Sequence, residues 1–240
     1  MKVKGFTLIE MILTLVVGAI LVLGIAGFVQ LGARGYSETV ERQRMQTQAK
    51  FIVEKMSREV RHAVPNMFNN AITIPSATSC ISFYPIVESG FYAVSDADLK
   101  FVVGREGVTV ADIRGLNMVI NPTEANPSSN VISLTNVVGA NGTFTVPLTT
   151  PLVGNSVSKR HYIYNPDRMV SYCLVGGQLR RALNSSDDLA LSDTGLSGTL
   201  SYQPATVQQN GIVRLDLTFQ NQAGDESTSF SQEIQVLNVP

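Results

Sequence analysis

Tryptophan is absent, and 240 residues hold only two cysteines and two histidines. Two cysteines exclude a disulfide-dense scaffold and a zinc site built mostly of thiolates. His62 and His161 leave little for imidazole-based metal or triad chemistry. Charge is also scarce, at 15% of residues against about 25% in an ordinary soluble domain. Apolar residues make up 44%, which excludes a disordered chain. Lys and Arg number 18 against 19 Asp and Glu, a net charge of −1. That balance gives no electrostatic footprint for nucleic acid. Neither a G-x-S-x-G nucleophile turn nor a G-x-x-x-x-G-K-[ST] phosphate loop occurs.

What charge there is falls unevenly. Residues 1–65 hold nine basic and five acidic residues, and residues 66–240 hold nine basic and fourteen acidic. The character changes near Pro65. Between Met11 and Ala33 lie 23 positions without a charge, and about 20 apolar residues suffice to cross the hydrocarbon core. Lys2 and Lys4 precede this run, which places that end in the cytoplasm and the residues after Ala33 outside it. A secretory signal peptide is the alternative, but its apolar core would be shorter and end in a small-residue cleavage site. Here a helical pattern continues instead. Ala49, Ile52, Val53, Met56, Val60, Ala63 and Val64 form one stripe. Glu38/Arg42 and Glu54/Arg58 stand four apart with the acid first, the supportive order. Pro65 is the first strong breaker. The expectation is one helix from Phe6 to Val64, running about 90 Å at 1.5 Å per residue.

Glu10 interrupts the start of the apolar run. A carboxylate at the centre of a membrane helix costs roughly 2.5–3.5 kcal/mol and calls for a partner. A water-reachable interfacial glutamate is the other reading.

Lys4-Gly5-Phe6-Thr7-Leu8-Ile9-Glu10 resembles the prepilin cleavage motif of type IV pilins and type II secretion pseudopilins. A short basic leader ends in Gly5, Phe6 follows, Glu10 stands fifth after the cut, and the apolar run comes next. The resemblance implies that a prepilin peptidase cuts between Gly5 and Phe6 and N-methylates Phe6. It implies that Glu10 meets the amine of a neighbouring subunit's Phe6. Pairing the two buried charges would offset part of what either costs alone. Residues 51–66 are further similar to the post-membrane helix of J-type minor pseudopilins, and more closely to minor pilin-like components of mannose-sensitive haemagglutinin (MSHA) pili. Ser171-Tyr172-Cys173-Leu174-Val175 and the ending Val236-Leu237-Asn238-Val239-Pro240 fit those components too.

Beyond Pro65 the pattern is of strands and turns. Cys80–Ile86, Leu99–Val103, Leu116–Ile120, Val131–Leu134 and Thr143–Val146 are short and rich in β-formers. Asn141-Gly142 is a turn dipeptide. Met169–Val175 and Gln178–Leu183 flank Gly176-Gly177 as a hairpin. Val213, Leu215, Leu217 and Phe219 alternate with polar residues, and Phe230, Gln232, Ile234 and Val236 share one face of a last strand. One apolar and one wet face is the mark of an antiparallel sheet. Residues 121–130 and 184–198 read as surface loops. The expected fold is α+β and pilin-like: a long N-terminal helix packed on a β-rich antiparallel head. Its expected parts are a cleaved leader (1–5), a transmembrane and assembly helix (6–33), an amphipathic continuation (34–65) and a periplasmic head (66–240).

Other polar groups read as ordinary surface. His62 and His161 have no acidic or nucleophilic partner placed by spacing, and a solvated position is expected for each. Asp96 and Asp98 invite a calcium reading, but Lys100 stands where another oxygen would be wanted and no glycine turn follows. Asp187-Asp188 is weaker still. Lys159-Arg160 and Arg180-Arg181 read as solvated charge. Cys80 and Cys173 lie in strands outside the cytoplasm, where an even pair favours a disulfide. Two separately buried thiols are the alternative.

The sequence therefore reads as a non-enzymatic minor pilin-like subunit without cofactor or metal, held in the bacterial inner membrane with its head in the periplasm, and possible in an extracellular pilus. Expected partners are the prepilin peptidase, other major and minor pilins, the inner-membrane assembly platform and membrane lipid, with no nucleic acid. A J-type pseudopilin of a type II secretion system is the alternative within the class. A membrane-anchored carbohydrate-binding tip adhesin is the alternative outside it.

Overall fold

The computed structural model describes residues 5–140, 142–184, 188–206, 209–221 and 223–236. The leader lysines Lys2 and Lys4, the turn residue Asn141, Asp187 and the ending Leu237–Pro240 lie outside them. The chain divides into two compact units, residues 1–47 and 48–240. Helix α1, Leu8–Arg61, contributes to both. In the first unit its apolar side chains from Leu8 to Leu31 are exposed, and the apolar stretch has a mean hydropathy of 2.8.

The end of α1 corrects the sequence expectation. The helix stops at Arg61, and Ala63, Val64 and Pro65 belong to strand β1, Ala63–Asn69. The ring of Pro65 bars Val64 from the α region, so the breaking effect begins before the proline. His62 closes the last turn, its N–H donating to the Glu59 carbonyl at 3.1 Å. Ala63 and Val64 are buried, as expected, but as strand residues. The amphipathic continuation is thus shorter than residues 34–65.

The second unit then runs β2 Ala77–Ser95, β3 Asp98–Val103, α2 Val110–Ile113, β4 Asn117–Val119, β5 Val131–Ser133, a 3-10 turn Leu134–Asn136, β6 Val138–Ala140, β7 Thr143–Pro147, β8 Arg160–Tyr164, β9 Val170–Val175, β10 Gln178–Leu183, β11 Leu189–Ala190, β12 Leu196–Gln203, β13 Ile212–Gln220 and β14 Ser227–Gln235. All pairings are antiparallel. Eleven strands form one sheet with the path β11-β10-β9-β2-β3-β7-β6, to which β1, β4, β5 and β8 attach, and β12-β13-β14 form a second. The expected loop over residues 184–198 is interrupted: β11 pairs with β10, and β12 begins at Leu196.

Strand β2 is the spine. Its first part pairs with β9 and β1, and its second with β8 and β3. At 19 residues it is far longer than the expected Cys80–Ile86. A bulge separates the two parts, because Ile86 faces Tyr164 while Glu88 faces Ile163. The extra residue shifts which side chains turn inward. Gly90 sits between β3 and β8, and a Cβ there would lie 1.9 Å from the Val102 carbonyl oxygen, so only glycine fits. Gly176 and Gly177 have φ of 57° and 75°, the left-handed pair that a two-residue hairpin loop requires.

Register gives the sheet faces. Ile81, Tyr172 and Arg181 are mutually aligned on one face. Toward it the helix presents Ile52, Met56 and Val60, all fully buried. A second core lies under the later part of β2, where Tyr92, Phe101, Phe144 and Ile163 pack with Ile113, Met118 and Leu134 from the intervening connections.

His161 lies on β8 beside this second core. It is 0% exposed, which overturns the solvated position expected for it. Its ring meets Phe101 edge-on at 5.1 Å, and neither ring nitrogen has a hydrogen-bond partner. Burial lowers its pKa to about 4. The folded value lies below the unfolded one, so this contribution is whole above about pH 6.5 and is lost as pH falls toward 4. Over that window the loss amounts to about 2–4 kcal/mol at 1.36 kcal/mol per pH unit. Thermal melts of His161→Phe should therefore be flatter than wild type between pH 6.5 and 4, and parallel curves would refute the assignment.

Candidate assembly site

Gly5, Phe6 and Thr7 precede the helix without regular secondary structure. The Thr7 carbonyl accepts from the amides of Glu10 at 3.1 Å and Met11 at 3.3 Å, which starts the helix at Leu8. Glu10 thus occupies the first turn, where the orphan amides and helix dipole favour an anion. Its side chain and that of Phe6 are exposed. A Cβ on Gly5 would meet no atom within 4 Å. No packing inside the chain demands glycine there, and the same holds for Gly18, Gly24, Gly27, Gly32 and Gly35. Glycine costs about 1 kcal/mol against alanine in an exposed helix in water, so these residues weaken the isolated helix without serving an internal contact.

The last turns of α1 tie to the head through Glu59. Its carboxylate accepts from Lys55 Nζ at 2.8 Å and from Arg181 Nε at 3.0 Å. Burial alone would raise its pKa, but the hydrogen bonds from Lys55 and Arg181 outweigh it and hold the carboxyl below the usual range. The buried Tyr172 hydroxyl lies beside this pair without a hydrogen bond of its own, and burial, then the Glu59 charge, raises its pKa. Arg181 is therefore not the solvated charge expected of it. Arg180 bonds Asp188 at 2.8 Å, while Lys159 and Arg160 are exposed as expected, with Lys159 Nζ 5.6 Å from the Tyr92 ring centre and the Arg160 guanidinium 5.9 Å from that of Phe91.

Two acids escaped sequence reasoning. Glu59 stands four residues after Lys55 and borders the buried Val60, a signal available but overshadowed by the neighbouring Glu54/Arg58 pair. Glu88 is buried on β2 and accepts from Arg105 Nε at 2.6 Å, a contact 17 residues along the chain that no pattern announces.

Cys80 and Cys173 face each other in the β2–β9 register and are joined by a disulfide with an S–S distance of 2.03 Å. Both are buried, with Ile74 and Ala182 beside them. Asp96 and Asp98 belong to a hairpin turn in which Ser95 faces Asp98 and Asp96 adopts φ 56°. Among the described residues no three His, Cys, Asp or Glu side chains gather to hold a metal ion.

Residues 1–26 match the family Prokaryotic N-terminal methylation motif. The match indicates a type IV pilin-like prepilin, for which processing by a prepilin peptidase and assembly with other pilins follow, and such proteins are in general not enzymes. The single apolar N-terminal helix fits a membrane-anchored pilin. No curated protein and no solved structure matches the chain.

Removing both cysteines should lower stability by about 2–4 kcal/mol, because the bridge closes a long loop in the unfolded chain; denaturant titration of the double alanine variant measures it. Arg181→Met should cost about 1 kcal/mol at neutral pH, since the pair is only partly buried. Glu59's folded pKa is depressed, so its contribution is present above the unfolded carboxylate value and fades as pH falls through the folded one. The wild-type and Arg181→Met melting curves should accordingly converge in acid, and a gap constant with pH would argue for lost packing alone.

Proposed function

We propose that this chain is a minor pilin-like subunit serving biogenesis of an MSHA-type type IV pilus, resembling the O component of that system. Its work is assembly rather than catalysis. The observation that carries the reading is the methylation motif over residues 1–26, set on the start of a 54-residue helix that runs on into a β-rich head. In this reading the leader, residues 1–5, is cytoplasmic and is removed between Gly5 and Phe6. The new Phe6 amine is then methylated. The apolar part of α1, residues 6–33, holds the subunit in the inner membrane, and the head is periplasmic, where an oxidising environment maintains the Cys80–Cys173 bridge.

The chemistry assigned to each residue follows from its surroundings. Gly5 leaves the scissile bond unobstructed for the peptidase. Glu10 has no cation beside it in the lone chain among the described residues. In an assembly of apolar helices it loses water and needs one. The amine of a neighbouring subunit's Phe6 lies at nearly the same depth, so the pairing sets the axial offset between subunits. Truncating one member of such a buried pair costs about 3–5 kcal/mol, because the other charge is stranded.

Substitutions at two positions test the reading. Gly5→Arg should leave the leader attached, as intact mass of the membrane-extracted protein would show, and complete cleavage would remove the prepilin assignment. Glu10→Ala should insert and be cleaved normally yet co-purify poorly with partner pilins, with Glu10→Gln intermediate because it keeps an acceptor. Equal recovery of wild type, Glu10→Gln and Glu10→Ala at matched membrane levels would reduce Glu10 to an interfacial residue.

A further inference from the structure

The three-stranded sheet has two edges of opposite character. On β12, three residues whose backbone groups face away from β13 are tied down. Leu196 donates its N–H to the Gly177 carbonyl at 2.8 Å. The Ser79 hydroxyl donates to the Leu200 carbonyl at 3.0 Å and accepts the Leu200 N–H at 2.8 Å. The Asn70 side-chain amide serves Tyr202 in the same way, at 3.2 Å and 2.9 Å. This edge is closed by the rest of the head.

The outer edge of β14 is open. Bonds at either end fix the phase of its ladder with β13: Val236 N–H to the Gly211 carbonyl at 2.9 Å, and Asn221 N–H to the Glu226 carbonyl at 3.0 Å. Bonded and non-bonded pairs alternate along an antiparallel ladder. Following the register inward, the amides and carbonyls of Ser227, Ser229, Ser231, Glu233 and Gln235 point away from β13. Among the described residues these groups meet one partner, the side chain of Gln232, which donates to the Glu233 carbonyl at 2.9 Å. The usual protections of an edge are missing. The β13–β14 register runs without a bulge from Ser227 to Gln235, and that stretch contains no proline, lysine or arginine. Its one charge, Glu233, is already met by Arg214 Nη2 at 2.5 Å.

We propose that this edge is a strand-addition surface, and that its occupant is the β14 edge of a second copy of this chain, paired antiparallel about a two-fold axis through Ser231. The strand is self-complementary in that register. Ser231 lies opposite its own copy, Ser229 opposite Glu233 and Ser227 opposite Gln235. No like charges face each other, and every outward amide meets an outward carbonyl. Arg214 has consumed the only charge by which a foreign charged strand would be selected. A slip by one residue would oppose amides to inward-facing groups and exchange the faces. In the symmetric register the half-buried Phe230, packed edge-on against Phe219 at 5.7 Å, comes opposite Gln232 of the other copy. The same patch serves both subunits, as an isologous interface requires. The inference stands apart from the prepilin reading, because it uses neither the leader nor Glu10.

The test uses the purified full-length chain in detergent with single cysteines introduced on β14. The native cysteines are bonded and buried, so each new thiol is the only free one. A bonded antiparallel pair sets Cα atoms about 5.5 Å apart, within reach of a disulfide. Under mild oxidation Ser231→Cys should form a covalent dimer at least an order of magnitude more efficiently than Ser227→Cys. In the proposed register the two copies of residue 227 lie roughly 27 Å apart at about 3.4 Å per residue. Mixing Ser227→Cys with Gln235→Cys should restore the dimer. Adding Ser231→Pro to that mixture removes an outward N–H that β13 does not use and should abolish the dimer while the chain stays folded, losing within the subunit only the exposed Ser231 Oγ–Asp216 hydrogen bond. If the proline variant fails to fold, Ser231→Lys takes its place. Equal cross-linking at 227 and 231, or none at 231, overturns the proposal. Cross-linking of Ser231→Cys in native membranes to a different protein, with none to itself, would assign the edge to a foreign strand and overturn it equally.

Discussion

The head depends on one strand that pairs with four others in succession along its length. β2 offers amides and carbonyls to β1 and β9 in its first part and to β8 and β3 in its second. Without it the helix-facing part of the sheet and the part over the second core would be two small sheets, each with exposed edges. Few strands of this length stay regular, since twist accumulates along them. The bulge between Ile86 and Glu88 absorbs that demand by turning the inward face from one core to the other. The Cys80–Cys173 bridge lies on the same strand, where it locks a register that the ladder has already chosen.

Much of this architecture shows in the sequence where one physical requirement acts alone. The alternation of Val213, Leu215, Leu217 and Phe219 needs only a sheet with one dry face, and these four are buried on β13. Gly176-Gly177 needs only a tight hairpin. Where two requirements compete, the pattern blurs. Val64 satisfies the helical stripe and the strand equally well by its apolarity, and the ring of Pro65 decides between them. β2 is concealed because Pro85, Glu88, Ser89 and Gly90 read as breaks, although each has a place at the bulge or the strand crossing. His161 follows two cations, which suggests water, yet it is buried on β8 while the adjoining Arg160 is exposed.

The candidate site is legible for a different reason. In the proposed function Gly5, Phe6 and Glu10 form a local motif read by an external enzyme and external helices, which needs no tertiary context. Its environment in the lone chain is correspondingly plain, with exposed side chains and no internal contact at Gly5. Glu59 and Arg181 are the reverse case, because residues 122 positions apart acquire meaning only after helix and sheet have met.

The junction between α1 and β1 carries a mechanical consequence. Arg61 ends the helix and Ala63 begins the strand, so no compliant linker lies between them. Tension or torque applied along the helix is delivered without slack to β1. From β1 it passes into β2, as load across the pairs that join Ala63 to Pro85 and Phe68 to Phe83. Glu59 and its partners stand at the same point and share that load through side chains. A load on the helix therefore reaches a sheet rather than a loop.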